Sequence, residues 1–413
     1  VRKFNAIIYL YAAFATVALT SFISIFMPYI LNVNLALPTG EQGRVAGQLV
    51  FYGEIIMLTT AGIFGAWSDQ YGRKIVFVSG LLALGAGYVA LGYANNLNML
   101  IALRILLAFG ITAVSVMLSA IQVDYPAEES RGKLMGFTGM AIGLGAVMIG
   151  LVFARLPDTF TNAGVSEILA GRYTLYSIAA VCGVTALVCS IGLVGGKPPH
   201  AQPATTTRQL LLEGIRMGRE NPKILLAYGS GFVGRADLVV VGTFYSLWVT
   251  QAGIAAGMGP EVAARTAGSL FAMVMTAALL WAPVMGWLND RLERTLAMAI
   301  ALSIAAAGYS TMGLISDPLA GWIYPASVLL GMGQMSVTLA SQTLLGQEAP
   351  KKSRGAVVGT FTVFGAAGIL FVTSIGGRIY DSIDPSAPFV LIGVANGLLA
   401  ILAFWSIRRS RPT

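Results

Sequence analysis

Long apolar runs alternate with short polar clusters from one end of the 413-residue chain to the other. A membrane-crossing helix needs about 20 mostly apolar residues. Charged positions and turn signals divide the chain into twelve such spans, at 5–32, 45–67, 75–94, 97–120, 133–154, 173–195, 224–250, 266–287, 295–315, 321–345, 355–377 and 387–406. No charge lies between Lys74 and Arg104, so that stretch is split at Asn95-Asn96, where a helix hairpin can turn. The interval 196–223 differs in kind. It opens GKPPHAQPATTT and continues RQLLLEGIRMGRENPK, a short amphipathic piece suited to lying along the membrane interface. Six spans stand on each side, giving an N-terminal bundle over 1–195, a linker over 196–223 and a C-terminal bundle over 224–413.

Composition sharpens this picture. The chain is 56% hydrophobic and 11% charged, against about 25% charge in a soluble domain, so it lacks the polar side chains to cover a water-facing surface. Its 49 glycines suit helices packed backbone to backbone in lipid. The expected fold is an all-α membrane protein that crosses the bilayer twelve times.

The net charge of +8 sets topology and is no nucleic-acid signal. With the N-terminus inside, nineteen Lys and Arg fall on the inner side, five on the outer side and two, Arg104 and Arg235, within spans. Both termini are therefore expected in the cytoplasm of a multi-pass protein of the cell membrane, a bacterial inner membrane or plasma membrane. Cys182 and Cys189 lie seven apart on one helix face and read as packing; His200 sits in a Pro-rich loop. Zinc ligation and histidine-based catalysis have almost nothing to work with. No P-loop GxxxxGK[ST] occurs. The chain is not expected to be an enzyme or to carry a metal or cofactor. Arg2-Lys3 before an apolar run imitates a signal peptide without a small-residue cleavage site, and Val1 in place of Met suggests a start inside a longer chain.

The two halves repeat a charged pattern. After the second span comes Gly65-Ala-Trp-Ser-Asp69-Gln-Tyr-Gly72-Arg73-Lys74, and after the eighth Gly286-Trp-Leu-Asn-Asp290-Arg291-Leu-Glu-Arg294. After the fourth comes Asp124-Tyr-Pro126 with Arg131-Gly132 beyond it, and after the tenth Glu348-Ala-Pro350 with Arg354-Gly355. Arg73 to Arg131 is 58 residues and Arg294 to Arg354 is 60. Internal repeats mark many secondary transporters, and G-x-x-x-D-x-x-G-R-K after the second helix resembles the loop signature of the major facilitator superfamily. That resemblance covers essentially the whole chain. It implies two pseudo-symmetric six-helix bundles that rock around a central cavity, opening it to alternate sides. On physical grounds Gly65 allows close approach of helix ends and Gly72 a tight turn. Asp69 can cap a helix or pair with Arg131. Gly65, Asp69, Gly72, Arg73, Arg131, Asp290, Arg294 and Arg354 thus form a candidate conformational gate.

Four ionisable residues fall inside spans: Glu54, Arg104, Arg235 and Asp237. Each should face a partner or a wet cavity, because charge at membrane depth costs several kcal/mol. Arg235 and Asp237, two apart, lie about 200° apart around a helix and should find partners on different helices. Arg104 in LRILLAFG resembles the arginine that the superfamily associates with proton coupling. Glu54, Asp237 and Arg104 are the candidate proton-coupling residues; Arg235, Asp237, Phe244, Tyr245, Trp281 and Gln334 are candidates for substrate binding. Gly229, Gly231 and Gly234 are expected to loosen the seventh span near its charges. A wall of aromatics with few charges suits a small amphipathic organic solute.

The fifth span, GFTGMAIGLGAVMIG, lacks the Gly-Pro pair that superfamily antiporters commonly carry. The leading expectation is proton-coupled export by a monomer that needs only its solute, protons and the bilayer. Proton-coupled uptake of an organic anion, sugar or lipid-like solute is an alternative, as is a non-transporting receptor on the same scaffold.

Overall fold

The computed structural model describes residues 3–125, 131–196, 207–350 and 352–410. Twelve helices among them are long and apolar enough to cross a membrane. In the first half these are span 1 (Lys3–Asn34), span 2 (Thr39–Tyr71), span 3 (Arg73–Leu91), span 4 (Leu97–Asp124), span 5 (Lys133–Asn162) and span 6 (Glu167–Gly192). In the second they are span 7 (Pro222–Ala255), span 8 (Pro260–Arg291), span 9 (Arg294–Met312), span 10 (Ile323–Glu348), span 11 (Arg354–Ser382) and span 12 (Ala387–Ile407). The amphipathic stretch forms a helix at Thr207–Glu220.

Local chemistry sets the boundaries. Asn96 caps span 4, its side chain accepting from the Met99 amide at 2.9 Å, so the charge-free stretch does divide at the asparagine pair. Asn221 accepts from the Lys223 amide at 2.9 Å and is followed by Pro222, which needs no hydrogen bond in a first helical turn. Gly72 alone separates spans 2 and 3. Its φ of +98° is a conformation that side chains resist, and a Cβ there would stand 2.8 Å from the Gly196 carbonyl oxygen.

The chain forms two compact units, Val1–Gln202 with Val249–Ala272, and Pro203–Trp248 with Met273–Thr413. In the first unit, the adjoining ends of spans 7 and 8 are tied to the first six spans. Arg265 Nη1 meets Asp158 Oδ2 at 2.7 Å, Gln251 Nε2 donates to Gln42 Oε1 at 3.1 Å, and Gly268 lies against Gly150. Division by sequence puts 249–272 with the second half; these contacts group it in space with the first. In the second unit the helix Thr207–Glu220 packs on spans 7 and 11, with the Tyr228 hydroxyl donating to the Gly214 carbonyl at 2.9 Å.

Glycine contacts repeat the same architecture in both units. A Cβ on Gly110 would stand 2.7 Å from the Leu84 amide nitrogen; one on Gly333 would stand 2.7 Å from Ala305 Cα. Gly87 abuts Leu107 as Gly308 abuts Leu330. Leu84 and Gly87 precede Ala305 and Gly308 by 221 residues, while Leu107 and Gly110 precede Leu330 and Gly333 by 223. Span 5 meets span 1 where Gly145 faces the Phe14 carbonyl, and span 11 meets span 7 where Gly368 faces the Phe232 carbonyl. That pair places spans 1 and 7 in register at an offset of 218. With no hydrophobic force to pull helices together in lipid, such close contacts hold the bundles by van der Waals packing.

Candidate functional site

The repeated loops build matching arginine clusters. Arg73 Nη1 lies 3.0 Å from Asp69 Oδ1, one helical turn back, and Nε lies 3.1 Å from Asp124 Oδ2 on span 4. Arg294 makes the counterpart contacts, 3.7 Å to Asp290 and 3.1 Å to Gln347, so glutamine replaces the second acid. Asp69 therefore pairs with Arg73; the side chain of Arg131 lies outside the described residues. Arg354 donates instead to the Gly346 carbonyl at 3.0 Å. Gly65 has no neighbour within 4 Å of a built Cβ, which corrects the expectation of a close helix approach there.

The glycine missing from the second loop has a structural replacement. Glu293 stands where the first copy has Gly72. Its carboxylate caps span 9, accepting from the Leu296 amide at 3.1 Å and the Thr295 hydroxyl at 2.8 Å. Lys223 reaches both Glu293, at 3.5 Å, and Glu348, at 3.6 Å, joining the starts of spans 7 and 9 to the end of span 10. Burial works against the Glu293 carboxylate, yet the hydrogen bonds from Thr295 and Leu296 and the Lys223 charge together hold it below the ordinary glutamate range. A value lowered by folding means stability that is present above the unfolded pKa of about 4.3 and lost as pH falls through the folded one. Melting between about pH 7 and about pH 3 should thus show a steeper loss for wild type than for Glu293→Gln; parallel curves would remove the carboxylate from the cap.

The membrane-depth charges separate into distinct places. In the first unit Glu54 is buried, and Arg104 is buried next to Tyr88, whose hydroxyl donates to the Leu19 carbonyl. In the second unit span 7 turns its two charges in different directions, as their spacing predicts. Among the described residues, however, only Asp237 of the two has a side-chain hydrogen-bond partner, and Arg235 faces a cavity instead. Asp237 is fully buried, with Oδ1 3.4 Å from Asn396 Nδ2 on span 12 and Oδ2 without a hydrogen-bond partner. Tyr309 of span 9 is close enough to feel its charge, and its own hydroxyl is also buried without a partner. Arg235 is exposed to a cavity of about 270 Å³ between spans 7, 10 and 11, together with Ser230, Thr338, Ser341, Gln342 and Thr362.

Span 7 is not loosened at its glycines. It runs as an α-helix from Pro222 to Val239, and Gly231 and Gly234 serve as seats for Phe361 and Val337. Its irregular turn comes later, a π-helical segment at Val240–Tyr245 of a kind common near functional sites. Phe244 and Tyr245 are wholly buried rather than facing either described cavity. Phe244 stacks on Tyr380, and the Tyr245 hydroxyl bonds Ser327 at 2.5 Å. Gln334 is buried as well. Trp281 lines a separate, apolar cavity of about 310 Å³ between spans 8 and 10, its Nε1 donating to Ser336 at 2.8 Å. Sequence reasoning missed Asn396, Tyr309 and the Asp158–Arg265 pair. Asn396 alone carried a signal, as a lone amide inside an apolar span.

Comparisons with known proteins agree with this architecture. Residues 7–372 and, in an overlapping match, 238–413 fit the profile of the Major Facilitator Superfamily. The chain is 28% identical to the magnetosome protein MamH of Paramagnetospirillum magneticum, over 99% of this chain and 93% of that one. It is 25% identical to the magnetosome protein MamZ of Magnetospirillum gryphiswaldense over 97% of its own length, spanning 61% of MamZ. It is 26% identical to the multidrug resistance protein MdtG of Citrobacter koseri, over 94% of this chain and 92% of MdtG. Among solved structures, the nucleoside transporter NupG shares the fold with a TM-score of 0.74 at 12% identity, over 97% of this chain and 99% of that one.

Proposed function

Since the chain belongs to the Major Facilitator Superfamily, we propose that this multi-pass membrane transporter moves a small amphipathic organic solute by alternating access, driven outward by inward proton flow. The observation that carries this reading is where the repeat breaks. At the offsets fixed by packing, and for span 2 by the Asp69 and Asp290 loop repeat, Glu54 corresponds to Met275, Arg104 to Ser327, Arg235 to Val17 and Asp237 to Leu19. Each charge in one half is matched by an uncharged residue in the other, while the glycine crossings are shared. The fold itself therefore does not call for these four groups, and their cost at membrane depth has to be offset by another role.

Asp237 and Glu54 are assigned to proton binding, with Arg104 biasing the first unit. Arg235 holds the solute. The gate is assigned to the clusters around Arg73 and Arg294, with Gly72 setting the turn beside them. Discrete ion pairs that form in one state and break in another supply the bistability alternating access needs. Likeness to a multidrug resistance protein supports export, and the Lys and Arg distribution supports both termini in the cytoplasm. The magnetosome relatives favour a second reading of location, at a magnetosome rather than in the cell membrane; imaging a fluorescent fusion decides between them.

The test of function is vesicle flux under an imposed pH gradient. Solute movement is expected to reverse direction when the gradient is reversed and to collapse with a protonophore. Normal transport that ignores pH would overturn proton coupling while leaving a transporter.

A further inference from the structure

We propose that the cavity beside Arg235 is a binding subsite for a hydroxylated organic anion, a carboxylate bearing at least one hydroxyl group. The proposal rests on the transport reading and names the head group of its solute. Arg235 supplies the only formal charge among the residues lining this cavity, and none of the lining residues is acidic. No ion pair among the described residues includes Arg235. Its guanidinium thus presents a planar fork of donors, at membrane depth, to whatever enters.

The stem of Arg235 is held in place. A Cβ at Gly365 of span 11 would stand 2.7 Å from Arg235 Cγ, so the arginine stem lies in a groove that only a glycine leaves open. Gly231, on the same face of span 7, seats the Phe361 ring, which gives the cavity one apolar wall.

The hydroxyls around Arg235 define the second half of the specificity. Ser230 donates to the Leu226 carbonyl at 2.8 Å, Thr338 to Gln334 at 2.9 Å, Ser341 to Thr338 at 3.1 Å and Thr362 to Val358 at 3.1 Å. Each proton is engaged by its own helix, which leaves oxygen lone pairs to face the cavity. A bare anion would meet Arg235 and the Gln342 side-chain amide, but would leave the ring of hydroxyl acceptors unmatched. An anion that brings its own hydroxyl donors satisfies both. A cation would find acceptors but also the arginine charge, and is rejected.

Binding to the full-length chain in nanodiscs tests this, using isothermal titration with three probes of similar size: mandelate, phenylacetate and 2-amino-1-phenylethanol. Mandelate is expected to bind about fivefold more tightly than phenylacetate, the value of roughly one net hydrogen bond between neutral groups. The amine is expected not to bind. Arg235→Gln should weaken mandelate by about 100-fold, as loss of a bidentate charged contact. Gly365→Leu, which keeps the charge but displaces the stem, should weaken it as well. Thr338→Val should narrow the preference for mandelate over phenylacetate.

Equal binding of amine and mandelate, or unchanged mandelate binding by both Arg235→Gln and Gly365→Leu, overturns the subsite. Should Arg235→Gln fail to fold, Gly365→Leu and Thr338→Val carry the test. Mandelate binding without flux in vesicles would sink the transport reading and leave the subsite standing. Flux of a cationic solute without mandelate binding would do the reverse.

Discussion

Asp237→Asn is expected to abolish accumulation of solute against a gradient, while passive exchange of solute across vesicles stays within about twofold of wild type. The reason lies in what surrounds the carboxylate. Asp237 is fully buried; one oxygen sits at a long 3.4 Å from the Asn396 amide, and the other has no hydrogen-bond partner. An ionised group so enclosed costs several kcal/mol, which is why the proposed mechanism couples the enclosing conformation to the arrival or departure of a proton. Asparagine keeps the shape and can still bond Asn396, but it cannot take part in that exchange. The variant should also melt at a higher temperature near neutral pH, because folding no longer has to take up a proton, or enclose a charge, at that position. Equal loss of exchange and accumulation would assign Asp237 a structural role. A lower melting temperature would contradict the account of its burial.

Gly368→Leu is expected to remove the protein from the folded fraction altogether. Span 11 crosses span 7 so closely at Gly368 that any Cβ would fall on the Phe232 carbonyl oxygen. Backbone cannot yield as a flexible side chain can, and overpacking at a well-fitted contact costs about 1–3 kcal/mol or more. Gly368→Ala should lower stability measurably, and Gly145→Ala, at the matching crossing of spans 5 and 1, by a similar amount. Gly359 lies on the same helix with nothing within 4 Å of a built Cβ, so Gly359→Ala serves as the control and should cost little. Gel-filtration profiles and melting of purified variants measure this. A monodisperse Gly368→Leu protein with wild-type melting would show that the helices can part at that crossing without loss.

The twelve spans and the repeat were legible because they rest on local signals. Apolar length, the Asn95-Asn96 break and the turn glycine at position 72 each act within a few residues of themselves. The partner of the buried Asp237 was not legible, since Asn396 reaches it from a span 159 residues further along the chain. Sequence spacing correctly predicted that Arg235 and Asp237 turn apart, but not that one opens on a cavity while the other is enclosed. Phe244 and Tyr245 show the limit from the other side. An aromatic cluster on one turn reads alike whether it lines a passage or fills a core, and here the π-helical turn and Tyr380 draw it inward. The Asp158–Arg265 contact joins the end of span 5 to span 8, a pairing no short-range pattern encodes.

The shared register of the two halves also supplies a blank. Glu54→Met, Arg104→Ser, Arg235→Val and Asp237→Leu each borrow a side chain already accommodated at the corresponding position across the duplication. Together they describe an electrically silent version of the molecule, against which each charge can be restored singly and its contribution read in isolation.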